Sequence, residues 1–172
     1  MDNKRGQEVM GMSFGVILSI IIIIAIIGVA TYAIVHFVGL KKCTDTGFFY
    51  RDLQDEVNRA WTAGTGRYRN TISVPAPSGI THFCFGNLSI GSTVFAVQRA
   101  ELQNLVQFGL EGNAFLYPPN EACDGELFSY NLEHAEAGNN FFCIQKDNDG
   151  KITAAVMKEP SDRVVTISPN IL

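Results

Sequence analysis

From Val9 to Leu40 the chain shows no alternation of polar and apolar positions: the run holds no Asp, Glu, Lys or Arg, and Ile20 to Ile24 are consecutive isoleucines. About 20 apolar residues carry a helix across the hydrocarbon core of a bilayer, so this run predicts one transmembrane helix. Lys41 and Lys42 follow it and can reach the headgroups from the exit. Tyr32, His36 and Phe37 lie near that end, where amphipathic rings anchor at the interface. Within the run Gly11, Gly15 and Ser19 recur every four residues. That spacing suits close helix packing, although small residues are also frequent in membrane helices generally.

After Lys42 the pattern acquires periods. Thr44 to Gly47 is rich in cap and breaker residues and predicts an interruption. Phe49, Leu53, Val57 and Ala60/Trp61 then recur at helical spacing, with Asp52, Asp55, Glu56 and Arg59 as the opposite face. This is an amphipathic helix whose aromatic ridge needs a cover. Strand-like runs follow at 67–74 and 80–85, separated by Pro75-Ala76-Pro77-Ser78-Gly79. Ser92-Thr93 is placed to cap a second helix, with Leu102, Leu105 and Val106 inward and Gly109 at its end. Ala114 to Tyr117 reads as a short strand and 120–138 as irregular, acidic chain. Phe141 to Lys146 and Lys151 to Met157 flank Asp147-Asn148-Asp149-Gly150, which predicts a β-hairpin. Arg163 to Ser168 supplies a last strand.

The fold class expected is therefore α+β: an N-terminal transmembrane helix, then an amphipathic helix on a small antiparallel sheet, with one further helix. The organisation is a charged leader at 1–8, the transmembrane helix and exit at 9–42, and a single domain at 43–172.

Composition adds a compartment. All four cysteines, Cys43, Cys84, Cys123 and Cys143, follow the apolar run, and an even number in a small domain suits two disulfides in an oxidising space. Three pairings are open. Zinc is the competing reading, with His82 and His134 beside Cys84, but the compact Cys-x-x-Cys and His-x-x-x-His spacings are missing. Asn87-Leu88-Ser89 is a glycosylation sequon, with Asn87 as candidate acceptor, and agrees with an extracytoplasmic domain. Positive charge does not choose an orientation, because Lys4 and Arg5 on one flank balance Lys41 and Lys42 on the other. Beyond Lys42 there are 9 Lys+Arg against 15 Asp+Glu, a net charge of −6 that argues against a nucleic-acid partner.

Lys4-Arg5-Gly6-Gln7 followed at once by a long apolar helix resembles the class III signal sequence of archaeal type IV pilin-like proteins. The resemblance covers the leader and the helix. It implies cleavage between Gly6 and Gln7, and a helix that stays in the membrane or becomes the core of a filament. The glutamate such pilins carry five residues after the cut is Gly11 here, while Glu8 is second. The remaining domain resembles those of membrane-anchored archaeal proteins sharing this leader.

No phosphate-binding glycine loop, His-Glu-x-x-His or Cys-x-x-Cys occurs, and Gly11-Met12-Ser13-Phe14-Gly15 lies inside the apolar run, away from the strand-to-helix turn a nucleophile elbow needs. Glu133-His134 with Glu136 is the nearest approach to an acid/base cluster, without a nucleophile beside it. Asp147 and Asp149 suggest calcium, but the position six beyond Gly150 is Val156 where an EF-hand needs glutamate. The expectation is a non-enzymatic, single-pass cell-surface protein of pilin-like or pseudopilin-like type without cofactor or metal, whose partners are the bilayer and further copies or pilin-like chains. A monomeric anchored binding module and an accessory subunit of a membrane complex are the alternatives.

Overall fold

The computed structural model describes residues 14–63, 66–89, 94–106, 112–138 and 141–169. The chain forms two compact units that meet at Val38/Gly39, four residues before the boundary the apolar run suggests. The first unit is helical, and every described side chain from Gly15 to Val38 except Ala33 is exposed. Ser19 and Thr31 return their hydroxyls to the carbonyls of Gly15 and Ile27, at 2.7 and 2.8 Å.

Helix α1 spans Phe14–Thr62. The interruption expected at Thr44–Gly47 is absent. Cap-type side chains end a helix by offering the backbone another partner, but here Thr44 Oγ1 and Thr46 Oγ1 donate to Leu40 and Lys42 carbonyls four residues back, both at 2.9 Å. The hydroxyls are thereby satisfied inside the helix. Gly47 costs about 1 kcal/mol in a helix, and the buried neighbours Thr46, Phe49 and Tyr50 hold it there.

The second unit is α+β, with two four-stranded sheets rather than the single sheet expected. One sheet runs β1 (Tyr68–Pro75), β7 (Lys151–Lys158), β8 (Val165–Pro169), β5 (Ala135–Ala137). The other runs β4 (Ser129–Tyr130), β3 (Ala114–Tyr117), β2 (His82–Gly86), β6 (Phe141–Gln145). All pairs are antiparallel except β5–β8. Helix α2 covers Ala96–Val106 with Leu102 fully buried; Ser92, Thr93 and Gly109, the expected ends, lie outside the described residues.

The predicted hairpin is not formed. Its turn is real: Gly150 takes φ 77°, its N–H donates to Asp147 O at 3.1 Å, and Asp147 N–H donates to Lys151 O at 2.8 Å. Beyond that rung the strands part, β6 pairing with β2 and β7 with β1. The chain between β1 and β2 turns the same corner. Ala76 N–H donates to Gly150 O at 2.9 Å, and Lys146 N–H donates to Thr81 O at 2.8 Å. A two-stranded ribbon thus bends from one sheet into the other, and burial explains the choice. Phe141, Phe142 and Cys143 are all buried, so β6 needs cover on both faces, whereas β7 alternates along its length.

The stretch expected to be irregular contains two 3-10 turns, Pro119–Glu121 and Cys123–Gly125, and the short strands β4 and β5. Ala135-Glu136-Ala137 carries no strand signal of its own; β8 recruits it, with Val165 N–H donating to His134 O at 2.8 Å.

Residues paired across antiparallel strands share a face, which locates the helices of this unit. Phe83, Leu116 and Ile144 share one face of the second sheet, as do Phe85, Ala114, Phe142 and Tyr130. Phe49 meets Phe83 edge-on at 5.5 Å and Tyr50 stacks on Tyr130 at 4.8 Å, so α1 covers this face. His82, Cys84, Phe115 and Tyr117 share the opposite face, where Tyr117 OH donates to Glu101 of α2 at 2.9 Å. The inner face of the first sheet lies under the end of α1, because Tyr68 and Asn70 both bond to Glu56. Its outer face carries Arg69, Thr71 and Ser73 opposite Met157, Ala155 and Thr153.

Candidate functional site

Two disulfides fix the cysteine question. Cys84 and Cys143 occupy facing positions on β2 and β6, with Cα atoms 3.9 Å apart. Cys43 of α1 joins Cys123 in the second 3-10 turn, where φ is 52°. Beside it Lys42 Nζ meets Glu121 Oε2 at 2.7 Å. Gly79 packs against the same carboxylate at φ 84°; a β-carbon there would collide with Glu121. The sulfur invoked for zinc is thus spent on Cys143, and among the described residues no three His, Cys, Asp or Glu side chains group closely enough to hold a metal.

The helical ridge behaves as its spacing requires. Phe49, Leu53, Val57 and Ala60 are buried, and half-buried Trp61 stacks on His134 at 4.3 Å with the rings 4° from parallel. Lys158 Nζ lies 5.8 Å from the centre of the Trp61 ring. His134 adopts φ 58°, and Gln54 pins its turn by accepting from Glu133 N–H at 2.9 Å and donating to Glu133 O at 3.3 Å. The Glu133-His134 pair is therefore built into packing between α1 and the loop.

Glu56 corrects the polar-face reading. It is 5% exposed, not solvated, and accepts hydrogen bonds from Tyr68 OH and Asn70 Nδ2, while Arg59 Nη1 stands 3.3 Å from its other oxygen. Burial pushes its pKa up, but the bonds from Tyr68 and Asn70 and the Arg59 charge outweigh that and hold it below the ordinary glutamate value. Burial and the Glu56 charge raise the Tyr68 phenol in turn. The signal was present in the spacing: position 56 is seven beyond Phe49 and three beyond Leu53, on the ridge itself. Asn113 was also missed. Its side chain accepts from Leu132 N–H at 2.7 Å and donates to Leu132 O at 3.0 Å, tying β3 to the turn before β5.

Of the packing residues expected in the membrane run, Gly15 and Ser19 are exposed, with the Ser19 hydroxyl returned to its own helix. Gly11 and the processing pair Gly6/Gln7 lie outside the described residues. Tyr32 and His36 stack on each other, centroids 6.2 Å apart. Among the described residues of the first unit, the consecutive Ile20, Ile21, Ile22 and Ile23 present bare hydrocarbon around a full turn of the helix. α1 is long and apolar enough to cross a membrane.

An open cleft in the second unit has a volume of about 550 Å³ and is lined by Phe85 to Ser89, Val106, Gly112, Asn113 and Ala135 to Ala137. Among the described residues of that lining, Glu136 is the charged side chain. Asn87 stands at its edge, exposed, directly after β2. Set against family models, curated proteins and solved structures, this chain matches none.

Proposed function

We propose that the protein is a non-enzymatic, single-pass cell-surface protein of pilin-like or pseudopilin-like type. α1 anchors it in the bilayer and the disulfide-bonded second unit stands on the extracytoplasmic side. The observation carrying this reading is the uncharged helix surface from Gly15 to Val38, exposed all round. A helix apolar on every side requires a non-aqueous surround. At roughly 1.5–3 kcal/mol for each large apolar side chain removed from water, the preference for lipid amounts to tens of kcal/mol. Two disulfides support an oxidising compartment for the second unit. The Lys4-Arg5-Gly6-Gln7 leader supports trimming at Gln7 and, through the freed helix, assembly with further copies.

Fractionation of cells making the full chain, with intact mass spectrometry under non-reducing conditions, tests the reading. The expected result is a membrane-bound chain beginning at Gln7, with four oxidised cysteines and high-mass assemblies. A full-length chain that stays in the aqueous fraction with free thiols overturns it. The open cleft favours a second reading, a monomeric anchored binding module. That alternative predicts the same membrane association and disulfides without assemblies.

A further inference from the structure

We infer that Asn87 is an N-glycosylation acceptor, an inference that rests on the second unit being extracytoplasmic. β2 ends at Gly86, whose φ of 117° turns the chain away while its N–H stays bonded to Asn113 O at 2.8 Å. The turn buries Leu88 and leaves Asn87 and Ser89 exposed on either side of it. Ser89 N–H donates to Asn87 Oδ1 at 2.8 Å, which fixes the amide with its oxygen toward the turn. Asn87 Nδ2 has no hydrogen-bond partner among the described residues. The sequence requirement for transfer, Asn-x-Ser/Thr with x not proline, is thus met by a tripeptide anchored at its middle residue and accessible at both outer ones. No other asparagine in the chain has Ser or Thr two positions later.

The co-reactant is, by class, a lipid-linked glycosyl phosphate presented to a membrane transferase. Nδ2 attacks the anomeric carbon and the C–N bond forms. The anomeric C–O bond to phosphate breaks with its electron pair leaving on the phosphate oxygen, and Nδ2 gives up one proton. No oxidant or reductant is needed. The product is a glycan standing at the rim of the open cleft.

The test uses the full chain from a host whose membrane carries an Asn-x-Ser/Thr transferase, analysed by intact mass without reduction and by tryptic peptide mapping after reduction, which frees the Cys84 peptide from its disulfide partners. Asn87 falls in the peptide running from Asn70 to Arg99. A sugar mass on that peptide, lost completely in Ser89→Ala and retained in Ser89→Thr, is the expected result. Ser89→Ala keeps both Asn87 and the backbone N–H that bonds it, so the loss cannot come from an altered turn. Bare Asn87 in a chain whose four cysteines are oxidised overturns the inference and leaves the external location standing. Bare Asn87 with reduced cysteines overturns both.

Discussion

The two sheets of the second unit have four strands each and differ in what covers them. β1-β7-β8-β5 buries one face beneath the end of α1, and β7 alternates along its length, with Ile152, Ala154, Val156 and Lys158 inward. β4-β3-β2-β6 lies between α1 and α2, and its strands read as unbroken apolar runs, Phe83-Cys84-Phe85, Ala114-Phe115-Leu116 and Phe141-Phe142-Cys143. Alternation marks a sheet with one dry face and an apolar run marks one with two. The difference explains why one ribbon had to bend: its two halves need different numbers of covering layers.

Truncations test that difference most severely. Phe83→Ala removes a ring that α1 and the neighbouring Phe85 enclose, and should cost about 3–5 kcal/mol. Val156→Ala, on the inner face of the one-sided sheet, removes less hydrocarbon and should cost roughly 2 kcal/mol. Thr153→Ala, on its outer face, should stay within about 0.5 kcal/mol. Urea unfolding of the full chain in detergent micelles measures all three. A cost for Phe83 no larger than that for Thr153 would mean that α1 does not cover the face of β2 on which Phe83 stands.

The disulfides come next. Cys84–Cys143 lies within the doubly covered sheet, and Cys43–Cys123 ties α1 to a surface turn. Their sequence separations, 59 and 80, give nearly the same loop-closure entropy. Replacing either pair by alanine should therefore lose about 2–4 kcal/mol, and an unequal loss would have to come from packing. A larger loss for Cys84/Cys143 would strengthen the contrast between the sheets, whereas a larger loss for Cys43/Cys123 would weaken it.

These particulars also mark what could be read from the chain directly. The helix ridge Phe49/Leu53/Val57 was legible because its period reports its buried face, and strand β3 because its unbroken apolar run stops at Pro118-Pro119. The failed hairpin shows where such reading stops. Asp147 to Gly150 is good turn chemistry, and local chemistry does build the turn, but pairing partners are chosen by burial across sequence separations of 76 to 90 residues for β1–β7 and 55 to 63 for β2–β6. β5 was illegible for a related reason, since Ala135-Glu136-Ala137 becomes a strand through β8 alone. At Thr44–Gly47 the error lay in weighing side chains that can leave a helix without asking where their hydroxyls go inside one. Among the candidate site residues, the cysteines were legible as bonded but not their pairing, which depends on β2 lying beside β6.

Glu56 sharpens the account of the one-sided sheet, because it bonds the last turns of α1 to β1. Tyr68 OH and Asn70 Nδ2 share Oε1, so Glu56→Gln keeps the size and an acceptor for both, but it removes the charge that strengthens those bonds and sets an amide NH2 where Oε2 met Arg59 Nη1. The expected cost is about 1–3 kcal/mol. Its folded pKa lies below the unfolded value, so the contribution is complete above the ordinary glutamate range and is lost as pH falls through the depressed folded pKa. Wild type should thus lose its advantage over Glu56→Gln on acidification below about pH 4.5. An advantage that persisted undiminished in strong acid would assign it to packing instead of charge.

The smallest effect concerns His82, at the entrance to β2 on the α2-covered face. Its ring lies edge-on to Tyr117 at 6.1 Å, with Nδ1 2.9 Å from Thr81 Oγ1, and burial lowers its pKa from 6.5. The unfolded chain therefore takes up this proton first as pH falls, and stability declines below about pH 6.5 toward the folded value. His82→Gln removes that slope while leaving His36 and His134 unchanged, so the difference between the two proteins isolates one ring. Because His82 is half-buried, water screens much of the charge, and the difference should be a change of slope between pH 7.5 and 5 rather than a collapse. Identical slopes would mean that the second cover over this sheet stops short of its first residue, confining the doubly dry region to Phe83 onward.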